Sequence, residues 1–187
     1  MGDVVLWMGI SVDGYIEAPG HDIDWHLVDD ELHTYFNERL GAAGAFLEGR
    51  VVFELMQAFW PNADEDPEGS PTMDEFAGIW RRIPKIVYSR TLQSVPEGAT
   101  AVVHDVVPDE VRALKGTYEG DLILGGAGIG AAFLALDLVD EIATFVHPVV
   151  LGAGTPLFPL SDQRHGLRLV ESRAFTNGVV MLRYARR

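Results

Sequence analysis

Hydrophobic and polar positions alternate between strand-like runs and helix-like segments along most of the chain. Apolar runs rich in β-branched residues predict strands over 4–10, 45–48, 85–89, 101–104 and 121–124. Apolar residues at helical spacing predict helices over 32–40, 51–59, 73–82, 108–115 and 129–136. Strands that alternate with helices predict a mainly parallel sheet covered by helices.

The last third of the chain has a strand-rich pattern. It predicts a long strand over 141–152 and two strands within 167–187 that are joined through Asn177-Gly178, a strong hairpin signal. We therefore predict an α/β fold whose mixed, mostly parallel sheet ends in an antiparallel C-terminal hairpin, with residues 1–187 forming one domain. The acidic, breaker-rich segment 61–72 is predicted to be an exposed insertion, and we hypothesise that it is a lid or a dimer contact.

Composition and charge narrow the possible partners. Lys and Arg number 14 against 28 Asp and Glu, and the net charge of −14 disfavours nucleic acid and anionic membrane surfaces as partners. The absence of Cys removes disulfides and thiol catalysis and suits a cytoplasmic protein. The short apolar run at the N-terminus predicts a strand and not a signal peptide. The six His residues show no metal-ligand spacing, so no metal site is predicted.

A glycine-rich stretch, GDLILGGAGIGAAFL at 120–134, joins a predicted strand to a predicted helix. Glycines at this junction allow several backbone N–H groups and the positive end of a helix to surround one anion. The stretch lacks the Lys of a Walker loop, and it is also not a first-strand dinucleotide fingerprint. Taken alone, it fits a tight strand-to-helix turn as well as it fits a phosphate site.

Two other loops favour the phosphate interpretation. Gly49-Arg50 and Ser89-Arg90-Thr91 each follow a predicted strand directly and place a guanidinium at its end. In open α/β sheets, ligands bind beyond the carboxyl ends of the strands, and all three loops are predicted to lie there. Together they indicate a nucleotide site.

Six stretches of the chain resemble the dihydrofolate reductase superfamily, and within it the reductase domain of the bifunctional riboflavin-biosynthesis deaminase/reductase. They occur in the family's order and read SVDGYIEAPGHDIDW (11–25), LEGRVVFE (47–54), YSRTL (88–92), GDLILGGAGIGAAFL (120–134), LVDEIATFVHPVVLGAGTPLF (138–158) and AFTNGVVMLRY (174–184). The resemblance implies a three-layer, dihydrofolate reductase-like fold that binds NADPH for hydride transfer to a small heterocyclic or carbonyl substrate.

The resemblance also implies a set of cofactor contacts. Gly9 and Ile16 would flank the nicotinamide, Gly49 and Arg50 would open a helix near the phosphates, and Ser89, Arg90 and Thr91 would hold the adenosine 2′-phosphate. The residues that would wrap the pyrophosphate and the nicotinamide end are Gly125, Gly126, Ala127, Gly128 and Ile129. Val52 departs from the family, since many relatives carry there a Thr that can donate to a phosphate.

Candidates for chemistry and substrate binding are fewer. Asp30 and Glu31 match the region in which dihydrofolate reductases carry their pterin-binding carboxylate, although both could simply cap a helix. Trp25, Phe53 and Trp60 could stack on a planar substrate, with packing in the core as the alternative. His147 is expected to be a packed residue at a bend.

We therefore expect an NADPH-dependent reductase that acts on a small molecule. The alternative is a non-catalytic nucleotide- or pterin-binding protein of the same fold. A homodimer is expected because the strand-rich C-terminus would otherwise leave an apolar edge exposed.

Overall fold

Ten strands and five α-helices make up the computed structural model, which describes residues 2–187. The strands are β1 (Val4–Ser11), β2 (Tyr15–Glu17), β3 (Ala45–Gly49), β4 (Lys85–Tyr88), β5 (Ala101–Val103), β6 (Leu122–Gly125), β7 (Glu141–His147), β8 (Thr155–Pro156), β9 (Leu167–Ala174) and β10 (Val180–Arg186). The helices are α1 (Asp30–Leu40), α2 (Arg50–Phe59), α3 (Pro71–Arg82), α4 (Pro108–Thr117) and α5 (Ala127–Ala135).

Eight of these strands form one sheet in the order β5-β4-β3-β6-β1-β7-β10-β9. The pairings from β5 to β7 are parallel, and β10 pairs antiparallel with both β7 and β9. The predicted α/β class with a mostly parallel sheet and an antiparallel C-terminal hairpin is therefore confirmed.

Two apolar clusters cover the two faces of the sheet and account for its layers. One cluster contains the buried side chains of α1, α2 and α3, such as Leu32, Phe53 and Trp80. The other contains buried side chains of α4 and α5, such as Val111 and Phe133. Central strands contribute to both clusters because successive side chains point to opposite faces, so these strands read as continuous apolar runs.

The C-terminal strands differ in length from the prediction. β7 ends at His147 and not at 152, because Pro148 cannot donate a ladder hydrogen bond. The hairpin turn lies at Asn177-Gly178 as predicted, but it spans residues 175–179. Phe175 N–H donates to the Val179 carbonyl (2.9 Å), and Gly178 takes a φ of 90°.

The acidic segment 61–72 is largely exposed but more ordered than its composition suggests. A 3-10 helix, Trp60–Glu65, buries Ala63, and Arg81 of α3 forms two hydrogen bonds with the Asp64 carboxylate, at 2.9 and 2.7 Å. Bidentate pairing to a neighbouring helix supplies the order that apolar burial cannot.

Glu48 is a buried acid at the end of β3. Its side chain lies on the face of the sheet covered by α1–α3, and its Oε2 has no hydrogen-bond partner within residues 2–187. Burial raises the pKa of Glu48 to about 8, against an opposing effect of the Lys85 ammonium. Lys85 is satisfied independently, since its ammonium donates to the carbonyls of Trp80 and Ile83.

We expect Glu48→Gln to remove a pH dependence of folding. The folded pKa of about 8 exceeds the ordinary value of 4.5, so the wild-type free energy of unfolding is highest below about pH 4.5 and falls as the pH rises toward 8. Chemical denaturation near pH 5 and pH 9 should show the variant more stable than wild type at the higher pH by on the order of 2 kcal/mol. Glu97→Gln, at an exposed site, is the control; a wild-type stability that does not fall between the two pH values would contradict the expectation.

Candidate functional site

Parallel pairing brings the three predicted ligand loops to one edge of the sheet. β3 lies between β4 and β6, with Glu48 opposite Gly125 and Gly49 opposite Tyr88. The loops that follow these strands begin at Gly49, Ser89 and Gly126, so they are neighbours at the carboxyl edge. This is the edge at which open α/β sheets bind ligands.

Gly126 shapes the turn between β6 and α5. Its φ of 115° and ψ of 139° fall in a region that L side chains rarely adopt. Its N–H points to the Met8 sulfur at 3.2 Å, and a Cβ on it would lie 3.4 Å from Val52. A glycine here lets the backbone of α5 start close to α2.

Helices α2 and α5 both begin at this edge without a side-chain cap. Their N-cap residues are Gly49 and Gly126, whereas α1 and α3 receive caps from Asp29 and Ser70. The first-turn N–H groups of α2 and α5 therefore have no side-chain acceptor, and both positive helix ends face the same edge. This arrangement suits an anion.

A groove of about 250 Å³ opens beside the N-terminal end of α5. It is lined by the ends of β4 and β5 and by the first turns of α5, including Ser89, Arg90, His104, Gly128 and Ile129. Gly128 is exposed, and a Cβ on it would meet nothing within 4 Å. The groove thus lies between the Ser-Arg-Thr loop and the glycine loop.

The two arginines of the site are engaged only by surface carboxylates. Arg50 pairs with Glu54 of its own helix at 2.7 Å, and the Arg90 guanidinium, 85% exposed, lies 3.6 Å from Asp105. Exposed pairs of this kind are weak, so either guanidinium can turn to an anionic ligand at little cost. Ser89 is buried and its hydroxyl accepts from the N–H groups of Thr91 and Leu92, which fixes this loop.

The structure places the predicted carboxylates Asp30 and Glu31 in contacts with neighbouring elements. Asp30 accepts from the Thr72 hydroxyl at 2.9 Å. Glu31 accepts from the backbone and hydroxyl of Thr176 in the C-terminal hairpin and from Arg173. These bonds, the Thr176 N–H first, lower the pKa of Glu31, so it is ionised at neutral pH.

The three predicted substrate-stacking aromatics lie in different environments. Phe53 is 2% exposed and packs with Trp80 in the core, as its alternative interpretation held. Trp60 is half-buried against Phe76. Trp25 lies on the loop before α1 and is the one closest to the carboxyl end of β1, since it packs edge-on against His147.

A stacked pair of imidazoles, which the sequence did not point to, lies directly over Gly9. The His26 and His147 ring centroids are 4.7 Å apart with an interplanar angle of 8°. A Cβ on Gly9 would lie 3.2 Å from atoms of both rings. Burial lowers the pKa of His147 to about 4, with the neighbouring His26 adding to the shift, and burial also lowers the pKa of His26. Both rings are therefore neutral at physiological pH.

No local sequence pattern could have predicted this contact, because the two histidines are far apart in the chain. Leu27, which follows His26, lies 120 positions before its hydrogen-bond partner His147. Ile16, the other residue predicted to flank a nicotinamide, is buried in the cluster on the opposite face of the sheet.

Within residues 2–187, no group of three or more His, Cys, Asp or Glu is arranged to hold a metal ion. No helix in the same range is long and apolar enough to cross a membrane.

Comparison with known proteins identifies relatives over nearly the whole chain. A family model described as the RibD C-terminal domain matches residues 3–181. The uncharacterized protein YyaP of Bacillus subtilis (strain 168) is 35% identical over 182 residues, which cover 97% of this chain and 93% of YyaP. The resemblance drawn from the sequence motifs is thereby confirmed.

Solved structures confirm the fold. A putative riboflavin biosynthesis protein from Shewanella sp. PV-4 superposes with a TM-score of 0.78 at 22% identity, covering 99% of both chains. Dihydrofolate reductase from Enterococcus faecalis, complexed with NADP(H) and RAB-propyl, superposes with a TM-score of 0.66 at 20% identity, covering 99% of this chain and 96% of that one. At these identities the likeness concerns the fold alone.

We expect Gly126→Ala to destabilise the fold as well as the site. The substitution forces an L residue to a φ of 115°, which should lower the free energy of unfolding by about 1–3 kcal/mol. Gly125→Ala is the matched control, because its Cβ would make an ordinary 3.5 Å contact with Val52 at a φ outside the left-handed region. Equal stability of the two variants in urea denaturation would contradict the assigned strain.

Proposed function

Because the chain belongs to the RibD C-terminal domain family, we propose that it is an NADPH-dependent reductase that transfers a hydride to a small heterocyclic or carbonyl substrate. Residues 1–187 would form one reductase domain. The observation that carries the proposal is the carboxyl edge of the sheet, where the uncapped helices α2 and α5 begin and where Arg50 and Arg90 are only weakly engaged. Arg90 and the first turn of α5 also line the groove.

The residues of the groove fit the cofactor's charges. Ser89, Arg90 and Thr91 would bind the adenosine 2′-phosphate, and a guanidinium at that position favours NADPH over NADH. The first turn of α5, from Gly126 to Ile129, and the start of α2, with Gly49 and Arg50, would bind the pyrophosphate through backbone N–H groups. Gly125 would allow the close approach.

The opposite end of the site would hold the reacting rings. Gly9 would flank the nicotinamide, and Ile16, whose side chain is buried on the opposite face of the sheet, would do so through its backbone. Trp25 and Trp60 would contact the substrate. NADPH supplies the hydride when bound, so this chain has to orient the rings and keep water out. Asp30 and Glu31 are the carboxylates proposed to assist proton transfer. Their contacts with Thr72 and Thr176 mean that either one would have to release a hydrogen bond in order to act.

The engaged state of these carboxylates also supports a second candidate function. A non-catalytic nucleotide- or pterin-binding protein would keep the groove and need no proton donor. Nicotinamide fluorescence separates binding from turnover: we expect NADPH to bind and then to be oxidised in the presence of pterins, pyrimidines or carbonyl compounds. Binding without oxidation across that panel would favour the second candidate, and failure to bind NADPH or any of the pterins would contradict both.

We expect Gly128→Glu to abolish NADPH binding without loss of stability. The side chain would enter open space in the groove and place a negative charge where phosphates are proposed to bind. Gly116→Glu is the matched control, since Gly116 is also exposed in a helix with nothing within 4 Å of a Cβ. Equal NADPH affinities of the two variants, measured by fluorescence titration, would place the phosphates elsewhere.

Arg90→Gln is expected to weaken NADPH binding by about tenfold, because a charged hydrogen bond to the 2′-phosphate contributes on the order of 1.5 kcal/mol. Binding of NADH, which lacks that phosphate, should change little. Fluorescence titration with both nucleotides checks the difference. Equal losses for the two would show that Arg90 does not contact the 2′-phosphate.

We propose that the protein is a homodimer formed through its exposed edge strand. β9 has β10 as its only neighbour in the sheet, and Leu169 on it is 53% exposed. Leu169→Lys is then expected to convert a dimer to a monomer in light-scattering measurements of mass. Leu160→Lys, at an exposed leucine outside the strands, is the control. A wild-type mass equal to the monomer's 20.5 kDa would contradict the proposal.

A further inference from the structure

The histidine pair, His26 and His147, directs two ring nitrogens to one point above β1. A Cβ built on Gly9 would lie 3.2 Å from His147 Nε2 and 3.4 Å from His26 Nε2. His147 stands at the end of β7, which pairs with β1, whereas His26 comes from the loop between β2 and α1. Because Gly9 has no side chain, the two nitrogens face backbone instead of an apolar group.

Hydrogen bonds fix where each ring carries its proton. Leu27 N–H donates to His147 Nδ1 at 3.0 Å, so Nδ1 is an acceptor and the proton of the neutral ring is on Nε2. His26 Nε2 is buried and has no hydrogen-bond partner within the described chain. With the proton of the neutral ring on Nδ1, on the side of the Ile16 backbone, this Nε2 is an acceptor without a donor. The pair therefore presents a donor on His147 and an acceptor on His26.

On His147 this arrangement suits recognition and not proton donation. A neutral imidazole that gave up its Nε2 proton would become an imidazolate, and His147 Nδ1 cannot take up a compensating proton while it accepts from Leu27. A neutral imidazole can still act as a hydrogen-bond donor to a carbonyl oxygen. A buried acceptor without a partner, such as His26 Nε2, costs free energy until a donor reaches it.

We propose that His26 and His147 form a subsite for an amide group, with His147 Nε2–H donating to its carbonyl oxygen and its N–H donating to His26 Nε2. The location of the subsite rests on the proposed function, in which the reacting rings lie beside Gly9. Two ligand parts have this chemistry: the carboxamide of a nicotinamide and the lactam edge of a heterocyclic substrate. In both, the nitrogen that carries the hydrogen is bonded to the carbonyl carbon, so the acceptor oxygen and the donor N–H lie side by side.

Entry of an amide requires the loop over Gly9 to move. Near the pair the loop is held by the bond from Leu27 N–H to His147 and by one from the Asn177 side chain to the Leu27 carbonyl, at 3.1 Å. Trp25 of the same loop also packs edge-on against His147. Positive φ angles at Gly20 and His21 mark a bend at which the loop turns. A ligand amide would separate the stacked rings and give His26 Nε2 the donor that it lacks.

The test measures three probes on the full-length protein and its variants. NADPH carries a carboxamide and lumazine carries a lactam, whereas 2′,5′-ADP carries the 2′-phosphate and the adenosine 5′-phosphate of NADPH with no amide. His26→Phe keeps an aromatic ring beside His147 but removes Nε2, and His147→Phe removes the donor and the contact with Leu27. His165→Phe is the control, because His165 lies beside Asp137 near the start of β7, at the opposite edge of the sheet.

We expect His26→Phe and His147→Phe each to weaken the binding of NADPH or of lumazine by roughly tenfold, as the loss of one hydrogen bond to a buried group implies. A loss of NADPH affinity assigns the subsite to the carboxamide, and a loss of lumazine affinity assigns it to the substrate. Binding of 2′,5′-ADP should stay within twofold of wild type. The proposal is overturned if His26→Phe changes neither affinity, whether or not His147→Phe does, or if wild-type protein binds neither NADPH nor lumazine. If wild-type protein bound neither NADPH nor 2′,5′-ADP, the proposed function would be contradicted instead. The lumazine affinities of wild type and of the two variants would still test the subsite.

Discussion

Parallel pairing of β1, β6, β3 and β4 is the constraint on which the candidate site depends. Parallel strands in register end at the same edge, so loops that are distant in sequence become neighbours there. Gly49, Tyr88 and Gly125 stand at the ends of three adjacent strands. The apolar clusters on both faces of the sheet hold these strands in place and leave the carboxyl edge free for polar chemistry.

Glycine then determines how closely the elements at that edge approach one another. Gly126 allows a backbone conformation closed to other residues, and Gly9 leaves room for two imidazoles above β1. At Gly126 the absence of a side chain lets α5 begin beside α2, and at Gly9 the two imidazoles occupy the space that a side chain would take. Glu48 is buried beside Gly125, and its burial keeps the carboxyl protonated at neutral pH. The proposed phosphate site therefore has no additional negative charge next to it.

The sequence predicted those features that are local in the chain. Apolar runs and helical spacing predicted the strands and helices, and the glycine stretch at 125–130 predicted a junction between a strand and a helix, which the structure has between β6 and α5. It did not predict contacts made by tertiary structure alone. His26 meets His147 only because β7 pairs with β1 and the loop folds over Gly9, and Glu31 meets Thr176 only because the C-terminal hairpin reaches α1. The roles of Asp30 and Glu31 could not be judged without those contacts.

The central claim is that the carboxyl edge binds the phosphates of NADPH. Amide resonances of isotope-labelled protein, followed by NMR during a titration with 2′,5′-ADP, test it most directly. The account predicts saturable shifts at Arg90, Thr91, Gly128 and Ile129, with the amides of β9 and β10 unaffected. Shifts confined to other surfaces, or no shifts at saturating nucleotide, would contradict it.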